Sequence, residues 1–195
     1  NSLLPAYGIR SLTMYTLLGL LMSSGLRPGE AVRLKKADVN LSTSILTVNQ
    51  SKNWCRRLVP INISTTKMLK MYCSIRGLFE PLKHTNSFFL MDSGRGLNIE
   101  TADHAFKVIR QQVGLDHKIN GRYPRLYDFR HTFVCRRIQS WYGSGADVNS
   151  LVPQLSRYLG HKKIQDTYWY ITATPELMNA GAQRFAEHCG LGGDE

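Results

Sequence analysis

Between Tyr7 and Ser24 the apolar positions fall at Ile9, Leu12, Met14, Leu17, Leu18, Leu20 and Leu21, a spacing that covers one wide helical face. Gly25 is placed to end this helix, because glycine accepts the left-handed conformation needed just past a helix end. Pro28 can open a second, short helix through Leu34, since a missing N–H costs nothing at the first helical position. The period then changes. Ile45-Leu46-Thr47-Val48 and Leu58-Val59-Pro60-Ile61 are β-rich runs. The polar segment Asn49 to Arg57 between them predicts a hairpin with a basic tip. Ser64 is read as the cap of a helix through about Leu78, and Phe88-Phe89-Leu90 as a short strand. Further helices are expected at about 100–113, 125–141, 148–159 and 175–188, with Asp147 and Thr174-Pro175 as starts of the last two. The pattern is α+β, mainly α-helical with a small antiparallel β-sheet, and no βαβ series is visible.

Composition narrows this picture. Hydrophobic residues make up 43% of the 195 positions, enough for a real core, so wholesale disorder is excluded. The length suits one domain. The longest apolar stretch, Leu17 to Met22, is far short of the roughly 18 residues a membrane span needs. No signal-peptide pattern opens the chain. Its first residue is Asn1 rather than Met, so it reads as a piece of a longer protein. Cys55, Cys73, Cys135 and Cys189 form no C-x-x-C pair, and no histidines stand at zinc spacing. They read as reduced thiols of an intracellular, cytoplasmic protein, and no structural metal is expected.

Charge points to a partner. The chain carries 25 Lys+Arg against 14 Asp+Glu, a net +11. The basic residues cluster: Lys52, Arg56 and Arg57; His117, Lys118, Arg122 and Arg125; Arg130, Arg136 and Arg137; Arg157, His161, Lys162 and Lys163. Aromatic side chains such as Trp54, Tyr123 and Tyr158 sit among them. A polyanion is the natural partner, because each cation on a phosphate releases condensed counterions.

Four segments suggest chemistry. In Gly25-Leu26-Arg27-Pro28-Gly29-Glu30 an arginine sits in the break between two helices, where Glu30 can orient its guanidinium. Lys52, in the hairpin tip, can reach into a site and donate a proton. In Leu126-Tyr127-Asp128-Phe129-Arg130-His131, Tyr127 and Arg130 are expected as neighbours on one helix face, with Phe129, Phe133 and Ile138 as the opposite, buried stripe. In Leu159-Gly160-His161, Gly160 stops a helix and exposes His161, and Tyr170 follows nine residues later on the next helix.

In this order and at these spacings the segments resemble the catalytic domain of the tyrosine recombinases, the phage-integrase-like family. That family carries a G-L-R-x-x-E motif, a hairpin lysine before an R-x-V-P-like strand, an H-x-x-R helix, an L-G-H motif and a tyrosine nine residues after that histidine. The resemblance covers essentially the whole chain, residues 1–195. It implies that Arg27 and Arg130 are the catalytic arginines, with Glu30 in support. It makes Lys52 the hairpin lysine, His161 the L-G-H histidine and Tyr170 the nucleophile. Tyr127 stands where the family usually has histidine. A phenol donates a hydrogen bond to a phosphate oxygen but does not serve as an imidazole base near neutral pH, since phenols titrate near about pH 10. Tyr168 competes with Tyr170 for the nucleophile's place. The two point about 200° apart on a helix, so only one faces a site.

The resemblance further implies a DNA recombinase or integrase of a mobile element, working through a covalent 3′-phosphotyrosine without metal, ATP or other cofactor. Double-stranded DNA is the implied partner, gripped along its backbone by Arg56, Arg57, Arg122, Arg125, Lys162 and Lys163. A tetramer is implied for synapsis, with segment 174–195 either docking on a neighbouring protomer or packing on its own domain. The helical core-binding domain that usually precedes this one is expected to lie outside the chain. Two alternatives stand beside this reading: topoisomerase-like relaxation by the same chemistry, and a catalytically silent DNA-binding accessory protein.

Overall fold

Leu17, Leu20 and Leu21 fix the direction of the first helix, α1 (Arg10–Ser24), by turning one face inward. The computed structural model describes residues 8–49, 56–78, 85–119, 121–173 and 181–182. The chain folds as two compact units, Asn1–Arg130 and His131–Glu195.

In the first unit, Gly25 ends α1 at φ 61°, and its N–H bonds to the Leu21 carbonyl at 3.1 Å. This is the left-handed helix stop that only glycine reaches without strain. Helix α2 (Pro28–Val32) starts on its proline. A short 3₁₀ turn (Lys36–Asp38) leads into the antiparallel strands β1 (Val39–Asn40), β2 (Ile45–Asn49) and β3 (Arg56–Pro60), in the order β1-β2-β3. Leu46 faces Val59 and Val48 faces Arg57 across the β2–β3 pair. Leu46, Val48 and Val59 are buried, so one face of the sheet closes on the core. Helix α3 (Ile63–Arg76) packs on α1, and α4 (Ile99–Gln112) packs on both α1 and α2.

Tyr72 locks this core. The Thr13 hydroxyl donates to the Leu90 carbonyl at 2.8 Å, so it accepts from the Tyr72 hydroxyl at 3.0 Å. The Tyr72 oxygen in turn accepts the Leu90 N–H at 2.9 Å. Every polar atom of the knot has a partner, as burial demands. The Tyr72 ring packs against Phe88 and Phe89.

In the second unit, helix α5 (Asp128–Gly143) contributes Phe133, Val134 and Ile138 to a core. Helix α6 (Val148–Leu159) adds Val148, Val152, Leu155 and Leu159, three to four residues apart. Asp147 caps α6 by accepting the N–H groups of Asn149 and Ser150, as its sequence position predicts. Helix α7 (Gln165–Ala173) inserts Tyr170 into the same core.

Four local expectations are corrected. Asn62, not Ser64, caps α3: its side-chain oxygen accepts the Thr65 N–H at 2.8 Å, while the Ser64 hydroxyl donates to that same oxygen. Phe88-Phe89-Leu90 forms no regular strand. Its backbone instead pairs piecemeal, Phe88 N–H to Leu34 and Phe89 carbonyl to Leu97 N–H, and Arg76 donates to the Ser87 and Phe88 carbonyls. The helix expected from residue 125 begins at Asp128, whose carboxylate accepts the Arg125 N–H at 2.7 Å, so Tyr127 lies in the turn before it. The buried stripe of α5 is the expected one in part: Phe133 and Ile138 are buried, but Arg130, expected on the opposite face, is buried too. Arg130, Val134 and Ile138 are fully buried at four-residue spacing, whereas Phe129 is half-buried against Phe106. The hairpin tip with Lys52 and the expected helix at 175–188, apart from 181–182, lie outside the described residues. No described helix is long and apolar enough to cross a membrane.

Candidate active site

In the first unit the site is built around one carboxylate. The break between α1 and α2 places Arg27 at the start of α2 and Glu30 on its first turn. Among the described residues, four donors reach Glu30. The Arg27 N–H bonds to Oε2 at 3.1 Å, and an Arg27 guanidinium nitrogen bonds to Oε1 at 3.0 Å. Arg57 supplies the other two as a fork, at 2.9 Å to Oε1 and 2.7 Å to Oε2. The Glu30 side chain is 5% exposed and Arg57 12%, whereas Arg27 keeps 34%. Burial pushes the Glu30 carboxyl up, but the hydrogen bonds and charge of Arg57, then those of Arg27, outweigh it. The carboxyl is held below its ordinary range and stays ionised.

Arg130 reaches the same helix break. It is the largest fully buried side chain among the described residues, and its guanidinium donates at 2.8 Å to the Gly25 carbonyl, two residues before Arg27. The left-handed turn at Gly25 therefore also presents the carbonyl that holds Arg130. Arg27 and Tyr127 line one hollow of about 550 Å³, together with Arg33, Lys107 and Arg125. Its walls are rich in cations, the composition an anion would meet.

In the second unit the arrangement is local. Gly160 ends α6 at φ 68°, its N–H bonding to Arg157 and the next N–H, of His161, to Ser156. This doubly bonded stop fixes where His161 leaves the helix. His161 Nδ1 lies 2.7 Å from the hydroxyl of the buried Thr167, which sets the orientation of the ring. Tyr170 packs between two imidazoles: its centroid is 6.3 Å from His161, with nearly parallel planes, and 5.3 Å from His131. Tyr170 is 4% exposed and Tyr168 38%. The two tyrosines thus face opposite ways, and it is Tyr170 that shares the histidine environment.

The remaining basic positions divide. Arg56, Arg122, Arg125, Lys162 and Lys163 are exposed, and Arg125 pairs with Asp128 at 3.2 Å. Arg57, grouped with Arg56 in the sequence, turns inward onto Glu30 instead. The alternation along β3 carries a signal for this, because Arg57 shares the inward side with Val59. His131 and Thr167 were not singled out. His131 directly follows Arg130, but its packing against Tyr170 arises between α5 and α7 and leaves no local mark.

The mainly helical chain, with its small antiparallel sheet and a tyrosine carried on the helix after the Leu-Gly-His turn, has the build of a tyrosine recombinase catalytic domain. It belongs to the phage integrase family, whose family model matches residues 3–177. The Sinorhizobium fredii protein y4rE, which carries the provisional name integrase/recombinase, is 38% identical over 180 residues, covering 92% of this chain and 57% of y4rE. Tyrosine recombinase XerC of Chlamydia pneumoniae is 25% identical over 172 residues, covering 88% of this chain and 51% of XerC. In fold the chain matches the crystal structure of XerA recombinase with a TM-score of 0.70 at 23% identity, over 92% of this chain and 60% of that one. The chain spans about half the length of the curated relatives it matches.

Proposed function

We propose that this chain is the catalytic part of a site-specific DNA recombinase that cuts and rejoins strands through Tyr170, in the service of a mobile element. The observation that carries the reading is the packing of Tyr170 between His131 and His161, on the helix that follows the Leu-Gly-His turn, in a member of the phage integrase family.

The chemistry follows from what a phosphodiester needs. Its charge repels nucleophiles, so cationic donors must hold the non-bridging oxygens as negative charge builds. Arg27 and Arg130 supply fork-shaped donors for this. Tyr170 gives up its phenolic proton to solvent and attacks phosphorus through Oη as the phenolate, and the bond from phosphorus to the 5′-oxygen breaks. Lys52 gives that departing oxygen a proton. His161, with Nδ1 held by Thr167, presents Nε2 to the phosphoryl group, and Tyr127 adds a neutral hydrogen bond. The products are a 3′-phosphotyrosine and a free 5′-hydroxyl. Attack by a 5′-hydroxyl reverses the step, joining the old strand or a new one. Because the ester conserves the bond energy, neither ATP nor a metal ion enters. Arg56, Arg122, Arg125, Lys162 and Lys163 grip flanking backbone without reading sequence. DNA binding must also uncover the Tyr170 phenol. In the synaptic complex the enzyme is a tetramer, with segment 174–195 reaching a neighbouring protomer.

The test uses a pool of duplexes with randomised sequence around a nick, so that the short released strand diffuses away and traps the adduct. A denaturing gel is expected to show protein attached to the 3′ side of the break and a new 5′-hydroxyl. The recovered duplexes then define the substrate for rate measurements. Absence of any covalent band would favour the silent accessory protein. Adducts accompanied by relaxation of supercoils but no joining between two recovered sites would favour the topoisomerase-like reading.

A further inference from the structure

We propose that Arg57 is a positioning residue for Arg27, acting through Glu30. The proposal rests on the reading of Arg27 as a phosphate-holding group. Arg57 grips both oxygens of Glu30 at 2.9 and 2.7 Å, whereas the Arg27 side chain holds one of them at 3.0 Å. The anchor of the carboxylate is therefore Arg57, the more buried of the two arginines. The plane of the carboxylate, fixed by the fork, sets the direction in which the Arg27 guanidinium is held.

Charge makes the same point. One carboxylate between two guanidinium groups leaves the Arg27–Glu30–Arg57 trio with a net +1. Without Arg57, Glu30 would cancel Arg27, and a buried carboxylate would face the incoming phosphate. Arg57 neutralises Glu30 so that Arg27 keeps its attraction for an anion. A lysine could supply the charge but not the planar fork. The contact also ties two distant parts of the chain. Arg57 belongs to β3, which directly follows the segment carrying Lys52, so the strand next to the hairpin tip and the break that carries Arg27 share one ion pair.

The experiment measures single-turnover cleavage and DNA affinity on the duplex recovered above. Arg57→Leu is expected to slow cleavage on the order of 30-fold, with DNA affinity within about threefold of the parent, because it strands a buried carboxylate beside Arg27. Adding Glu30→Gln removes that stranded charge, and the double variant is expected to recover about fivefold over Arg57→Leu alone. If Arg57 served folding alone, the double variant would cleave no faster than the single one, and that result overturns the proposal. In an Arg27→Ala, Glu30→Gln background, where no carboxylate is left to strand, Arg57→Leu is expected to cost less than about twofold more, since a residue acting through Glu30 on Arg27 has nothing left to act on. A further loss comparable to that in the parent also overturns it. Should Arg57→Leu fail to fold, as judged by its thermal transition, Arg57→Lys replaces it: it keeps the charge but loses the fork, so slower cleavage at unchanged affinity is expected, and parent-like cleavage overturns the proposal. Wild-type cleavage by Arg27→Ala would instead remove the reading of Arg27 itself. A crippled Arg27→Ala beside a normal Arg57→Leu would remove the positioning role alone.

Discussion

In the first unit, Glu30 joins Arg57 across 27 residues of chain and Arg130 reaches a carbonyl 105 residues away. In the second, His161 and Thr167 are six residues apart, and Tyr170 follows one helical turn later. The first unit thus fixes its guanidinium groups with contacts from distant segments, an ion pair for Arg57 and a carbonyl hydrogen bond for Arg130. The second holds Tyr170, the proposed nucleophile, mainly by local means: a glycine stop, a hydroxyl on an imidazole and the packing of His161, with His131 added from another helix. The division has a physical reason. Guanidinium groups aimed at one anion repel one another and need fixed counter-partners, which a folded core supplies from distant segments. A phenol needs only a rigid helix and neighbours that shape its surroundings.

The largest effect that can break this contrast is expected at Arg130. Arg130→Ala removes a fully buried fork, and cleavage should fall by at least about 100-fold, the scale of losing a donor to developing oxyanion charge. Arg130→Lys should restore little, because an ammonium cannot hold the Gly25 carbonyl and a phosphate oxygen in one planar fork. Near-normal single-turnover rates for either variant would dissolve the two-arginine clamp.

A smaller effect is expected in the second unit. Thr167→Val keeps shape but removes the hydroxyl at 2.7 Å from His161. Cleavage should drop on the order of tenfold, the worth of a hydrogen bond to a group that becomes charged. An unchanged cleavage rate would reduce Thr167 to packing.

The smallest effect concerns stability and acid. The Glu30 carboxyl is held below its ordinary value of 4.5, chiefly because Arg57 and Arg27 outweigh burial. The stability it contributes is complete above that value and is lost as pH falls through the lower value of the folded state. Tm should therefore fall more steeply as the pH drops below 4.5 for the parent than for Glu30→Gln. No comparable difference is expected for Thr167→Val. Equal acid slopes for the parent and Glu30→Gln would mean that the ion pair at the helix break is not the charge-sensitive centre of the first unit.

The same contrast explains what could be read from the chain. Gly25, Asp147, Gly160 and the helix bearing Tyr170 depend on neighbours within one or two turns, so sequence alone places them. Helix starts slipped where two capping residues stood close together, as with Asn62 and Ser64. Tyr127 falls outside the helix expected from about residue 125, because the Asp128 carboxylate accepts the Arg125 N–H and the helix begins there. Arg57 was hardest to read. Beside Arg56 it resembles a solvated basic pair, and its partner lies on another element. The burial of Arg130 was equally hidden, because an arginine at a core position is recognisable only once the Gly25 carbonyl is seen to receive it.

The central claim is that Tyr170 carries the DNA. The adduct from the randomised nicked pool can be digested with nuclease and protease and the modified peptide sequenced by mass spectrometry. The account predicts a nucleotide on Tyr170, no adduct from Tyr170→Phe with DNA binding retained, and an undiminished adduct from Tyr168→Phe. A nucleotide on Tyr168, or a surviving adduct from Tyr170→Phe, would contradict it.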